Sequence, residues 1–235
     1  GLIESQVGRK ISGRLQDVMM KTLNVTEDRH VLKITLNKPE VRNAMSPDMI
    51  RELTEVFRGA GQREGIRAVF LRGEGKVFCA GADLNYMQEM VKFDFAKNQA
   101  DALDLHAMFE AISHCPLPVV CEVHGAAFGG ALGLIAASDI VIGEDRAQYC
   151  FSEVKLGIAP ALISEFVLRK TSLGLVAPWM MSGLVFSTVE AERMGLVHFA
   201  AELGLITERS EKVLESFREA GPEAVRETKK LLQTL

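Results

Sequence analysis

The chain has 235 residues, 48% hydrophobic and 25% charged, with 27 Lys and Arg against 31 Asp and Glu, a net charge of −4. That length and apolar content can bury a sizeable core in one domain, and the acidic balance disfavours a general affinity for nucleic acid or an anionic membrane. The four cysteines, Cys79, Cys115, Cys121 and Cys150, form no C-x-x-C pair, which argues against a disulfide framework or a zinc ribbon and for reduced thiols in a cytoplasmic protein.

Residues 1–18 begin without Met and carry scattered Arg and Lys but no apolar signal core. They read as a vector remnant ahead of a natural start at Met19 or Met20, or as an amphipathic N-terminal helix. From Leu23 the apolar residues alternate, through Val25 and then residues 30–36, which predicts an opening pair of strands before the turn Asn37-Lys38-Pro39-Glu40. Ser46-Pro47-Asp48 is a helix start: Ser accepts a backbone N–H, Pro suits the first helical position, and Asp complements the dipole. That helix is expected to run to about Gly59.

Residues 68–71 predict a short buried strand, followed by Gly73, Gly75 and the segment 77–83. A helix over 95–112 leads through Pro116 and Pro118 into a strand over 119–123. Residues 125–133 form a glycine-rich turn, 134–137 a helix and 140–142 a strand, so the order is that of an α/β layered fold. The apolar run 125–142 is broken by Ser138 and Asp139, a poor composition for a membrane span. Beyond Pro160 the pattern turns helical, with a capping box at Ser187-Thr-Val-Glu190 and helices over 211–217 and 223–232, which predicts an all-helical last third. There is no repeat of solenoid length.

Two glycine turns each follow a strand: Ala80-Gly-Ala-Asp83 and Gly125-Ala-Ala-Phe-Gly-Gly130. Glycine lets main chain approach a ligand closely, and N–H groups at a helix start point at negative charge. Neither turn has the spacing of a phosphate loop or a dinucleotide fingerprint, and tight strand-to-helix packing explains either one alone.

Taken in order, the segments resemble the crotonase (enoyl-CoA hydratase/isomerase) superfamily. Asn37-Lys-Pro-Glu-Val-Arg-Asn-Ala44 is similar to its first CoA-contacting turn, Phe78-Cys-Ala-Gly-Ala-Asp-Leu84 to its first oxyanion segment, and Val123-His-Gly-Ala-Ala-Phe-Gly-Gly130 to its second. Phe151-Ser-Glu-Val-Lys-Leu-Gly157 resembles the acid/base segment, and Ala191-Glu-Arg-Met-Gly-Leu-Val197 a helix-to-strand junction. The resemblance implies a spiral of repeated ββα units over 19–186, a C-terminal helical region over 187–235, and an acyl-CoA substrate with no separate cofactor and no metal. It implies the N–H groups of Ala82 and Gly130 as oxyanion donors, Glu153 as acid/base, and substrate contacts from Arg42, Asn43, Ala44, Ala80, Gly81, Asp83, Leu84, Gly129 and Gly133. It also implies a homotrimer or dimer of trimers, to which the apolar faces of 173–181 and 213–217 are suited, and a helical tail longer than the one that stops at Leu235.

The chain departs from the two-carboxylate members at one position. Their earlier Glu aligns with Gly133, which has no acid/base group, while the later one is Glu153. A lone Glu can shuttle a proton between two carbons, as in the double-bond isomerases, or activate water by itself, as in one hydratase subgroup; the alternative is a capping or surface Glu. The narrower motifs, Gly-Ala-Asp-Leu-Asn-Tyr-Met from Gly81 and Phe-Ser-Glu-Val-Lys-Leu-Gly-Ile-Ala-Pro from Phe151, are similar to bacterial 3-methylglutaconyl-CoA hydratases. They place hydratase ahead of isomerase, with a non-catalytic acyl-CoA-binding protein as a further alternative. His124 and Glu122 read as structural, and Tyr86, Met87 and Met90 as either acyl-pocket lining or helix packing.

Overall fold

A computed structural model of the chain describes residues 18–82, 92 and 94–234. Three antiparallel strands open it, β1 (Val18–Met19), β2 (Leu23–Asp28) and β3 (Val31–Leu36). The predicted strand over 30–36 starts one residue late, because Arg29 and His30 both take positive φ in the two-residue turn between β2 and β3. Helix α1 (Pro47–Ala60) follows, with Ser46 Oγ accepting the Met49 N–H at 3.3 Å as its sequence requires. Parallel strands β4 (Ala68–Gly73) and β5 (Val119–Val123) flank helix α2 (Phe95–Ser113) in sequence.

Strand β6 (Ala126–Phe128), helix α3 (Ala131–Ala137), strand β7 (Ile140–Glu144) and strand β8 (Gln148–Cys150) come next. A 3-10 helix over Ser152–Leu156 leads to helices α4 (Ala161–Lys170) and α5 (Leu173–Ser182), then β9 (Phe186–Ser187), helix α6 (Thr188–Met194) and strand β10 (Phe199–Ala201). Helices α7 (Ile206–Glu219) and α8 (Pro222–Thr234) complete it. The main sheet runs β1-β2-β3-β4-β5-β7-β10, parallel from β3 onward, and β6, β8 and β9 form a second, smaller sheet.

Period-two alternation decides what each strand buries. Leu32, Ile34, Val69, Leu71, Val119, Cys121 and Val141 point into the larger core, under α1, α2 and α3, while Val31, Phe70, Val120 and Ile142 point to the other face, against Ile206 and Leu214 of α7. Burial on both faces is why these strands read as near-continuous apolar runs. The four cysteines are free thiols in this interior. No described helix is long and apolar enough to cross a membrane.

Two expectations need correction. The segment 125–133 is not one turn: residues 126–128 pair with β8, and the helix starts at Ala131, so Gly133 lies inside its first turn. The last third is not all-helical, since β10 sits in it and pairs with β7, extending the main sheet.

Candidate active site at two glycine turns

The parallel strands deliver two turns to the same end of the sheet. After β4, the segment to Ala82 is fixed by Asn43, which is fully buried: its amide donates to the carbonyls of Glu74, Val77 and Phe78 at 2.8 to 3.1 Å, and its Oδ1 accepts the Lys38 N–H at 2.9 Å. Arg42, in left-handed backbone with an exposed side chain, accepts the Ala80 N–H on its carbonyl at 2.9 Å. Ala44 is buried beside Asn43. Of the residues expected to touch substrate here, Asn43 therefore holds the turn together with its side chain, while Arg42 alone presents an exposed cation.

The two turns are locked to each other through main chain. Cys79 donates to the Ala126 carbonyl and accepts from the Phe128 N–H, both at 3.2 Å. Gly81 has φ +94°, and a Cβ there would stand 2.6 Å from the Phe128 carbonyl oxygen, so only glycine permits the approach. The Met45 N–H donates to the Gly81 carbonyl at 2.7 Å in a parallel bridge between Met45 and Ala82. Hydrogen-bonding groups alternate sides along an extended segment, so that bridge leaves the Ala82 N–H facing away from Met45.

On the second turn, Gly129 donates to the Cys150 carbonyl at 2.8 Å, and Gly130 is the N-cap residue of α3, a position whose N–H has no intrahelical acceptor. Gly129 has φ +56°, and a Cβ on it would meet Ser152 Oγ at 3.0 Å and Glu153 Oε1 at 3.7 Å. The acid/base candidate is thus pressed against the oxyanion turn. Glu153 sits in the 3-10 helix Ser152–Leu156, closed by left-handed Gly157. Its Oε2 is buried with no hydrogen-bond partner among the described residues, and desolvation pushes its carboxyl above the ordinary value, against a smaller opposing contribution from its own backbone N–H.

Gly133 is the site's filled position. A Cβ on it would lie 2.4 Å from Phe109 Cζ and 2.7 Å from Ile163 Cγ2, so α2 and α4 occupy the volume a side chain would need. Met45 stands over the N-cap of α3, its Cε 2.5 Å from where a Cβ on Gly130 would be. Met45, Phe109 and Ile163 were invisible as site residues in the sequence, because their placement depends on helices distant along the chain. Asp83, Leu84, Tyr86, Met87 and Met90 lie outside the described residues.

The family model for enoyl-CoA hydratase/isomerase matches residues 26–234. The chain belongs to the enoyl-CoA hydratase/isomerase family. An enoyl-CoA hydratase of Alternaria alternata is 30% identical over 94% of this chain and 72% of its own length. The chain spans 65% of the length of two further Alternaria alternata enoyl-CoA hydratases. Among solved structures, an enoyl-CoA hydratase from Shewanella pealeana superposes with a TM-score of 0.88 at 33% identity, covering 92% of this chain and 81% of that one. Pseudomonas aeruginosa AtuE superposes with a TM-score of 0.87 at 35% identity, covering 91% and 83%. The crotonase-type α/β fold expected from the motifs is the fold of this chain, and the chain is an enzyme of this family.

Proposed function

We propose that the protein is a hydro-lyase that adds water to, or removes it from, an enoyl-CoA thioester, with Glu153 as its single acid/base. The observation that carries this reading is the desolvated Glu153 carboxyl, its Oε2 unpartnered among the described residues, packed against Gly129 next to the Gly130 N–H. Addition of water across the conjugated double bond places negative charge on the thioester oxygen. The N–H groups of Ala82 and Gly130 receive it there, and a preorganised donor of this kind typically contributes about 10²–10³ in rate. Glu153 takes a proton from the attacking water and returns it to carbon, and its raised pKa suits it to both transfers. Arg42 supplies a cation for the CoA phosphates. The motifs from Gly81 and Phe151 favour 3-methylglutaconyl-CoA as the acyl group.

One observation favours a second reading. Phe109 and Ile163 fill the place of a second acid beside Gly133, and a dry wall there suits a lone Glu that moves a proton from carbon to carbon, as a double-bond isomerase does. The deciding experiment follows turnover of 3-methylglutaconyl-CoA and crotonyl-CoA by absorbance and product mass. Gain of one water supports the hydratase, an isomer of equal mass the isomerase, and CoA binding without turnover a non-catalytic acyl-CoA-binding protein. We further propose self-association into a trimer or a dimer of trimers, through the exposed apolar residues of α5 and the loop after it, Leu173, Met181 and Leu184.

A further inference from the structure

A cleft of about 1040 Å³ opens at the other end of the sheet, between the N-terminal ends of β5 and β7, marked by Pro118 and Ile140, and helix α8. The glycine turns and Glu153 lie beyond the C-terminal ends of these strands, so it is a separate cavity of small-molecule size. Its charges do not balance. Asp139 is already engaged, accepting Lys229 Nζ at 2.6 Å and the Val119 N–H at 2.7 Å, and Lys229 also donates to the Leu117 carbonyl at 3.0 Å. Arg169 is held by Glu165.

That leaves Lys170, whose only hydrogen bond among the described residues is a long one, 3.4 Å, to the Asp139 carbonyl. Burial, only partly offset by the Asp139 charge, pushes its ammonium down to about 8. Nearby, His198 accepts the Val141 N–H on Nδ1 at 2.9 Å, which puts the neutral ring's proton on Nε2 as a further donor lining the cleft. Beside polar Ser113, Thr228 and Gln233, the lining carries an apolar strip formed by Ala137, Val225 and Leu232.

We propose that this cleft binds a small amphipathic anion, with a carboxylate or phosphate head on Lys170 and His198 and an apolar body along Ala137, Val225 and Leu232. The head needs an oxyanion because the cleft's least-engaged charged group, Lys170, is a cation, and the apolar strip suits an uncharged body.

Calorimetric titration of the full chain with octanoate, octyl phosphate and inorganic phosphate tests this. One octanoate or octyl phosphate should bind per chain, the tighter of the two identifying the head, and inorganic phosphate should bind more weakly than both. Lys170→Met should weaken binding about tenfold or more, as loss of a charged hydrogen-bond partner does. Ala224→Trp, an exposed position lining the cleft, should block it even if Lys170→Met does not fold. Saturating CoA should leave binding in place. The proposal is overturned if neither octyl ligand binds below about 1 mM, if both variants bind like the parent, or if CoA displaces the ligand. Inorganic phosphate binding as tightly as the octyl ligands would overturn the apolar half of the assignment.

Discussion

Replacing Glu153 by Gln keeps its size and removes its charge, which separates chemistry from folding. Loss of one positioned acid/base should lower turnover by about 10²–10⁴ with CoA binding retained; unchanged turnover in Glu153→Gln would sink the mechanism. Stability should move the other way. The buried carboxyl keeps its proton in the folded chain at pH values where the unfolded chain, with its ordinary value of 4.5, has lost it. The folded form therefore binds more protons, and stability falls as pH rises from there through the folded value. Glu153→Gln escapes that loss, so it should melt higher than the parent at pH 7, with the gap closing below pH 4.5. Gly133→Ala tests the filled position: its methyl must displace both Phe109 and Ile163, and overpacking of this kind costs about 1–3 kcal/mol in denaturant titrations. A glutamate at 133 meets the same wall, so restoring the two-carboxylate layout requires trimming Phe109 as well. The motif spacing made Glu153 and the glycine turns legible in the sequence, whereas that wall is built by three segments from α2, α3 and α4 that share no local pattern.

At the scale of elements, capping chemistry and alternation were legible and short strands were not. The box at Ser187 forms with both bonds in place, Ser187 Oγ accepting the Glu190 N–H and the Glu190 carboxylate accepting the Ser187 N–H at 2.6 Å. Ser187→Ala should cost about 1 kcal/mol in urea unfolding. Strands β3 and β5 announced themselves through β-branched runs, but β6 and β10 have three residues each, too few to show a period, and pairing with β8 and β7 is what makes them strands. Glu122, read as structural from its position, is buried in β5 and accepts Ser210 Oγ at 2.7 Å, tying α7 to the sheet. Ser210→Ala leaves that buried carboxylate oxygen without its donor and should destabilise the chain by about 1–3 kcal/mol, with exchange of α7 amides rising before the rest.

For the whole molecule, the expected assembly and the expected ligand give separate readouts. Leu173 and Met181 are 69% and 74% exposed on α5, and charged replacements at both should shift light scattering toward the monomer if this face joins copies. CoA that binds only the folded chain should raise the melting temperature, by an amount equivalent to about 2.7 kcal/mol at a hundred times its dissociation constant. The way the main sheet ends bears on how such copies can meet. Among the described residues its outer strands are β1, two residues long, and β10, three residues long, flanking five longer ones. Within the described residues, the outer strands themselves offer a foreign strand only two and three residues to pair with. Open-ended, fibril-like growth through β1 or β10 therefore has little backbone to build on, and side-chain faces are where copies can meet in contacts that close and stop.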